Sequence, residues 1–120
     1  MLSKKSYKAR FEFVKRKLEA NKIKEKYPDR VPIIVEVSDG NMGLTLDKNK
    51  YLCPGDLTCG QFMYIIRKRT SLSEEEALYM FCDDSLPATS MLISQLYKEK
   101  KDEDGFLYMI ISKESTFGCS

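Results

Sequence analysis

KYLCPGDLTCGQFMYIIRKR, residues 50–69, holds two elements and the turn between them. Lys50 to Cys53 reads as a short strand that Pro54-Gly55 closes. A proline at the end of a strand suits a sheet edge, where a missing N–H donor does least harm. Asp56, Leu57 and Thr58 then form a helix entry. Thr58 is placed as N-cap, and Gln61 three residues later can return a hydrogen bond to it. Phe62, Ile65 and Ile66, joined by Met63, give the helix a core face as far as Arg69. Arg67-Lys68-Arg69 falls in its last turn, where cations offset the helix dipole.

Upstream, Val31 to Val37 is β-branched and mostly apolar and predicts a second strand, and SDGNMG at 38–43 predicts a turn. Residues 11–27 are densely charged, with no Gly or Pro before Pro28, and predict a helix. Phe13, Ala20, Ile23 and Tyr27 line one side of it, while Phe11, Val14 and Leu18 line nearly the opposite side. Two apolar stripes call for two coverings. One is the core; for the other, both a local mini-core with Leu2 and Tyr7 and a membrane surface stay open. Downstream, Ala77 to Cys82 reads as a strand buried on both faces, and Asp83-Asp84 as a turn. Thr89 to Lys100 reads as an amphipathic helix with Met91, Leu92, Leu96 and Tyr97 inward, and Phe106 to Ser112 as a last strand. The order after residue 30 is therefore β-β-α-β-α-β, which predicts an α+β domain: a four-stranded mixed sheet crossed by a helix.

A chain of 120 residues is one domain by size. No apolar run approaches the length that spans a bilayer, and lysines interrupt any apolar N-terminal region of signal-peptide type. The four cysteines form no C-x-x-C pair and there is no histidine. This removes the common zinc patterns and Cys-His catalysis. Cys53, Cys59 and Cys82 read as reduced core thiols of a cytoplasmic protein, and Cys119 is too near the end for prenylation. The net charge of +2 hides a polarity. Residues 1–30 hold eleven Lys/Arg against four Asp/Glu, and residues 31–120 hold nine against fourteen. A basic N-terminal quarter suits an anionic partner such as an acidic peptide, a tubulin tail or a phospholipid surface. Arg67-Lys68-Arg69 has no aromatic stacking platform beside it, so no nucleic-acid partner is expected. The acids at 74–76 and 83–84 read as turn and helix-start charges, and no metal site or enzyme active site is expected.

The stretch at 50–69 resembles, almost residue for residue, the middle of the autophagy ubiquitin-like modifiers, the GABARAP-like family. KYPDRVPIIVE (26–36), DGFLY (104–108) and the tail STFGCS (115–120) match in order and spacing. The resemblance implies a ubiquitin-like β-grasp at 28–115, an N-terminal helical extension at 1–27 and a flexible tail at 116–120. The family usually has proline where this chain has Glu12, so a break between two N-terminal helices stays open here.

The resemblance also implies the sites. A groove along the edge strand docks peptides of the form aromatic-x-x-aliphatic. The aromatic pocket maps to Glu19, Ile23, Pro32, Ile34, Lys50, Leu52 and Phe106. The aliphatic pocket maps to Tyr51, Cys53, Pro54, Leu57, Phe62 and Ile65. Cys53 stands where the family commonly has valine and leaves the second pocket roomier. Arg30, Lys48 and Lys50 would meet acidic peptide residues. A cysteine protease would cut between Gly118 and Cys119, with Phe117 anchoring the tail. Activating and conjugating enzymes of the ubiquitin type would then join Gly118 to phosphatidylethanolamine, the only group attached. The implied protein is a tag rather than an enzyme. It would start in the cytoplasm and move to autophagosome or vesicle membranes, where it recruits cargo receptors. An unconjugated trafficking or cytoskeletal adaptor using the same groove is the alternative.

Overall fold

The computed structural model describes residues 6–39 and 43–114. Gly118, Phe117 and Cys119 lie outside the described residues, as do Leu2 and part of the loop at 38–43. The element order is α1 (Tyr7–Arg10), α2 (Phe13–Lys26), β1 (Arg30–Val37), β2 (Lys50–Pro54), α3 (Cys59–Lys68), β3 (Tyr79–Phe81), α4 (Ile93–Lys100) and β4 (Leu107–Ser112). The strands form one sheet in the order β2-β1-β4-β3. β1 pairs with β4 in parallel, and the outer pairings are antiparallel. The sheet is therefore mixed, with β2 at one edge as its terminal proline predicts.

Alternation along the strands sorts side chains to two faces. Val31, Ile33 and Val35 of β1, with Leu107, Met109 and Ile111 of β4, pack with Phe62, Ile66, Ile93 and Leu96 of α3 and α4 into the main core. Ile34 and Phe106 face the other way and bury Tyr7 and Ala20 of the N-terminal helices. The extension is thus part of a second, smaller core. α3 starts as its sequence predicts. The Thr58 hydroxyl accepts from the Gln61 amide at 3.1 Å, and the Gln61 side chain accepts from the Thr58 amide at 2.9 Å. Asp83 and Asp84 make a tight two-residue turn with φ of 50° and 63°, closed by the Cys82 amide donating to the Ser85 carbonyl at 2.8 Å.

Several expectations change. The N-terminal helices are separate: Phe11 and Glu12 are extended although no proline stands between them. One tertiary and one local bond flank the break. The Tyr7 amide donates to Glu36 at 2.6 Å, and Arg16 Nε donates back to the Phe11 carbonyl at 2.9 Å. α4 begins four residues later than expected, so Ile93, fully buried, takes the inward place given to Leu92, which is 41% exposed. Ile65 is exposed and leaves the core of α3 to Phe62 and Ile66. The acids at 74–76 start no helix. Glu76 accepts from the Ser73 amide at 3.1 Å, and Arg67 ties the loop down by donating to the Ser73 and Glu74 carbonyls at 2.8 and 3.1 Å. On α2 the inward side is Arg16, Ala20 and Ile23. Of the second stripe, Phe11 stacks on Tyr7, with ring centroids 4.8 Å apart, while Val14 and Leu18 face outward. Of the mini-core expected over them, Tyr7 packs on Phe106, and Leu2 lies outside the described residues.

Candidate functional site

The edge strand β2 is the first candidate. Its register puts Val31 opposite Cys53, Pro32 opposite Leu52, Ile33 opposite Tyr51 and Ile34 opposite Lys50. The Val35 amide donates to the Asn49 carbonyl at 2.8 Å, which fixes the phase of the ladder. In an antiparallel pair hydrogen-bonded and non-bonded positions alternate, so residues 49, 51 and 53 turn their backbone groups toward β1. Lys50 and Leu52 turn theirs outward, and an extended peptide could pair with them. The same alternation makes β2 a divider. The side chains of Lys50 and Leu52 share a face with Pro32 and Ile34, and those of Tyr51 and Cys53 join the opposite face.

On the first face the predicted aromatic-pocket residues converge. Ile34 and Phe106 are fully buried, Ile23 packs on them, and Leu52 is half-buried at the strand edge. Glu19 on α2 makes an ion pair with Lys50 on β2, which spans the gap between helix and strand. The Tyr7 hydroxyl donates to the other Glu19 oxygen at 2.6 Å, and the Lys50 ammonium lies 5.5 Å from the Tyr7 ring centre. Burial opposes ionisation of Glu19, but hydrogen bonds from Lys50 and Tyr7 outweigh it and hold this carboxyl below its ordinary range.

On the second face Tyr51 meets Phe62 edge-on, with centroids 5.8 Å apart, and Cys53 and Leu57 belong to the same cluster. Tyr51, Cys53 and Phe62 are buried, and Pro54 and Ile65 stand exposed. Tyr51 donates to the Lys48 carbonyl. Burial pushes the Cys53 thiol up to about 12 and the Cys82 thiol up to about 11, and it raises Cys59 as well. Such thiols stay protonated and are poor nucleophiles. The three rim cations divide. Lys48 and Lys50 flank the start of β2, while Arg30 sits opposite Pro54 at its end, so they bracket the edge rather than form one patch. Among the described residues no acid, Cys and His cluster could hold a metal, and no helix is long and apolar enough to cross a membrane.

One arrangement escaped the sequence reading. Arg16 Nη1 donates to Asp104 at 2.6 Å, the Phe106 amide donates to Asp104 at 2.8 Å, and the Tyr108 hydroxyl donates to the same carboxylate at 2.5 Å. Asp104 is fully buried. Asp104, Phe106 and Tyr108 recur with period two, and an acid at the head of such a run was the available signal. Lys8 adds an ion pair to Asp102. These contacts hold the extension against β4, and with it Glu19 over the edge strand.

The pH dependence of the Glu19 bond has a definite sign. A carboxyl with a depressed native pKa stabilises the fold above its unfolded pKa, about 4.3, and this is lost as pH falls through the native value. Glu19→Gln should therefore melt lower than wild type at neutral pH, and the two melting temperatures should converge as pH falls through the depressed native value. A gap that widens in acid would contradict this.

A four-stranded mixed sheet with α3 and α4 on one face and a short helical pair on the other defines a ubiquitin-like protein with an N-terminal extension. The chain belongs to the Atg8 family: the family model described as "Autophagy protein Atg8 ubiquitin like" matches residues 15–118. It is 56% identical over 109 residues to Autophagy-related protein 8e of Arabidopsis thaliana, covering 91% of this chain and 89% of that protein. It is 54% identical over 113 residues to Autophagy-related protein 8 of Mycosarcoma maydis, covering 94% and 96%. Among solved structures, Trypanosoma brucei ATG8 superposes with a TM-score of 0.84 at 43% identity, covering 97% of this chain and all of the other. Plasmodium falciparum Atg8, solved in complex with a P. falciparum Atg3 peptide, gives 0.86 at 32% identity, covering 95% and 100%. The protein is thus an autophagy ubiquitin-like protein.

Proposed function

We propose that this protein is a modifier rather than an enzyme, joined through Gly118 to phosphatidylethanolamine, and that it gathers cargo receptors and adaptors on autophagosome membranes. The observation that carries the recruiting half is the edge of β2, with outward backbone groups at Lys50 and Leu52 and apolar side chains on both faces of the strand. An aromatic side chain would enter beside Ile23, Ile34, Leu52 and Phe106. An aliphatic one would enter beside Cys53, Pro54, Leu57 and Ile65. Backbone pairing supplies affinity, and the apolar side chains on either face supply sequence choice. The Atg3 peptide on the Plasmodium relative supports a peptide from the conjugating enzyme as one partner of this chain.

The conjugating half rests on family membership and on Phe117-Gly118, the residues at which the family match ends. Glycine has no Cβ, so its carbonyl is open to a protease thiolate and then to the lipid amine. The diacyl lipid anchors far more firmly than one acyl chain and turns a cytoplasmic protein into a membrane-bound one. Cells should convert the chain to a form ending at Gly118 and then to a lipid adduct, and Gly118→Ala should block both. Mass spectrometry of the membrane fraction checks this. Membrane-bound protein that still carries Ser120 would leave the unconjugated adaptor as the better reading.

A further inference from the structure

The segment SLSEEE at 71–76 runs between α3 and β3, and apart from Leu72 its residues stand exposed. No helix or strand confines it. A serine with acids at the next three positions is a pattern that a protein kinase with a basic substrate cleft can read. The segment has two serines, and their bonds tell them apart. The Ser71 hydroxyl donates to the Gly43 carbonyl at 2.8 Å and accepts from the Thr45 amide at 3.0 Å, so it ties two loops together. The Ser73 hydroxyl donates to Glu76 Oε1 at 3.3 Å, inside its own turn. The same carboxylate oxygen accepts from the Ser73 amide at 3.1 Å, and the Glu76 amide donates to the Ser73 carbonyl at 3.2 Å. Glu74 and Glu75 make no ion pair among the described residues. Arg67 Nη2 donates to the carbonyls of Ser73, Glu74 and Glu76, so a guanidinium lies against the backbone that carries the Ser73 hydroxyl.

We propose that Ser73 is a phosphorylation site for an acid-directed serine kinase, and that Arg67 receives the phosphate. Ser73 Oγ attacks the γ-phosphorus of ATP, the bond from that phosphorus to the bridging oxygen breaks, ADP leaves, and the hydroxyl proton passes to the base of the kinase. Glu74 and Glu75 offer the kinase exposed negative charge directly after the acceptor. The product carries about −1.5 to −2 charges at neutral pH. It meets a charged neighbour, because the hydrogen bond from the Ser73 amide, with Lys113 beside it, holds the Glu76 carboxyl below its ordinary range. Phosphate and carboxylate on one turn repel, so the Ser73–Glu76 bond gives way. Arg67 takes its place. Its planar fork matches phosphate oxygens, and charge-assisted bonds to phosphate exceed bonds to neutral carbonyls. The modification thus trades carbonyl partners of Arg67 for a phosphate and reshapes the loop between α3 and β3. It depends neither on conjugation through Gly118 nor on the peptide groove.

Incubation of the folded full chain with ATP and an acid-directed serine kinase tests the site. Mass spectrometry should place one phosphoryl group on Ser73. Ser73→Ala should remove it, and Ser71→Ala should keep it. Glu74→Gln with Glu75→Gln should lower kcat/KM of the kinase for this chain by about tenfold or more, since two exposed charges are lost while the bonds of the turn stay in place. Phosphorus NMR reads the role of Arg67. A phosphoserine loses its second proton at about pH 6. In the folded chain this value should lie below that of the same chain unfolded in urea, where the neighbouring acids are the same, and Arg67→Gln should bring it back up. No label on Ser73, or labelling that the Glu74 and Glu75 changes leave untouched, would overturn the site. So would a rate that climbs in Asp104→Ala, which loosens the fold away from this loop and would show that the kinase takes the unfolded chain. A phosphate that titrates alike in the folded, unfolded and Arg67→Gln chains would overturn its capture by Arg67.

Discussion

Asp104→Ala should destabilise the protein by about 3–5 kcal/mol, the usual cost of removing one partner from a buried ion pair. The reason is an asymmetry. The Asp104 carboxylate accepts from Arg16, the Phe106 amide and the Tyr108 hydroxyl, so its loss leaves a buried guanidinium, an amide and a phenol without their acceptor. In the intact protein burial and the same carboxylate hold the Tyr108 phenol above its ordinary pKa, so it stays a donor to Asp104. Arg16→Met combined with Asp104→Ala should cost less than the sum of the two single changes, because it removes the stranded charge with its partner. Urea melts of the four proteins read this directly. A loss below about 1 kcal/mol for Asp104→Ala would mean that water replaces the carboxylate and that the network does not hold the extension.

Leu52→Ala with Ile65→Ala should weaken an aromatic-x-x-aliphatic peptide by about 2 kcal/mol or more, roughly thirtyfold, and leave the melting curve nearly unchanged. The pair covers both faces of the edge strand from partly exposed positions. Tyr51→Ala is the poorer probe despite its place in the groove. Tyr51 is buried against Phe62, so truncation opens a cavity and confounds affinity with stability. Lys48→Glu should penalise peptides with acids before the aromatic residue more than neutral ones, and the difference should shrink as salt rises. Calorimetry showing wild-type affinity for the Leu52 and Ile65 variant would remove the groove assignment.

The parts of the fold legible in the sequence were those set by local chemistry. Thr58 and Gln61 announce the start of α3, Pro54 announces an edge, and the β-branched run at 31–37 announces β1. The errors came where a partner distant in sequence decides. Nothing local tells Leu92 from Ile93; the register of α4 is set by bonds such as the Ile93 amide to the Leu57 carbonyl at 2.8 Å. The break at Phe11 and Glu12 goes with a bond from Arg16, five residues on, to the Phe11 carbonyl, while Tyr7 at the start of α1 is held by the distant Glu36. The groove residues were named through family resemblance. Periodicity alone would have assigned Ile34, Phe62 and Ile65 to the core, and it did misplace Ile65. The Arg16–Asp104 pair is separated by 88 positions, so no local pattern joins its members.

The open edge of β2 also sets a problem of company. A strand with unpaired backbone groups is a template for any other extended chain, including the same strand on a neighbouring molecule. Crowding on a membrane would bring such edges together constantly. This edge is protected by what borders it: Lys48 and Lys50 at its start, where two copies side by side would repel, and Pro54 at its end, which has no donor to offer. The opposite edge, β3, is only three residues long and ends in the tight turn at Asp83 and Asp84. The lysines proposed to meet an acidic peptide would thus also disfavour edge-to-edge pairing of two copies.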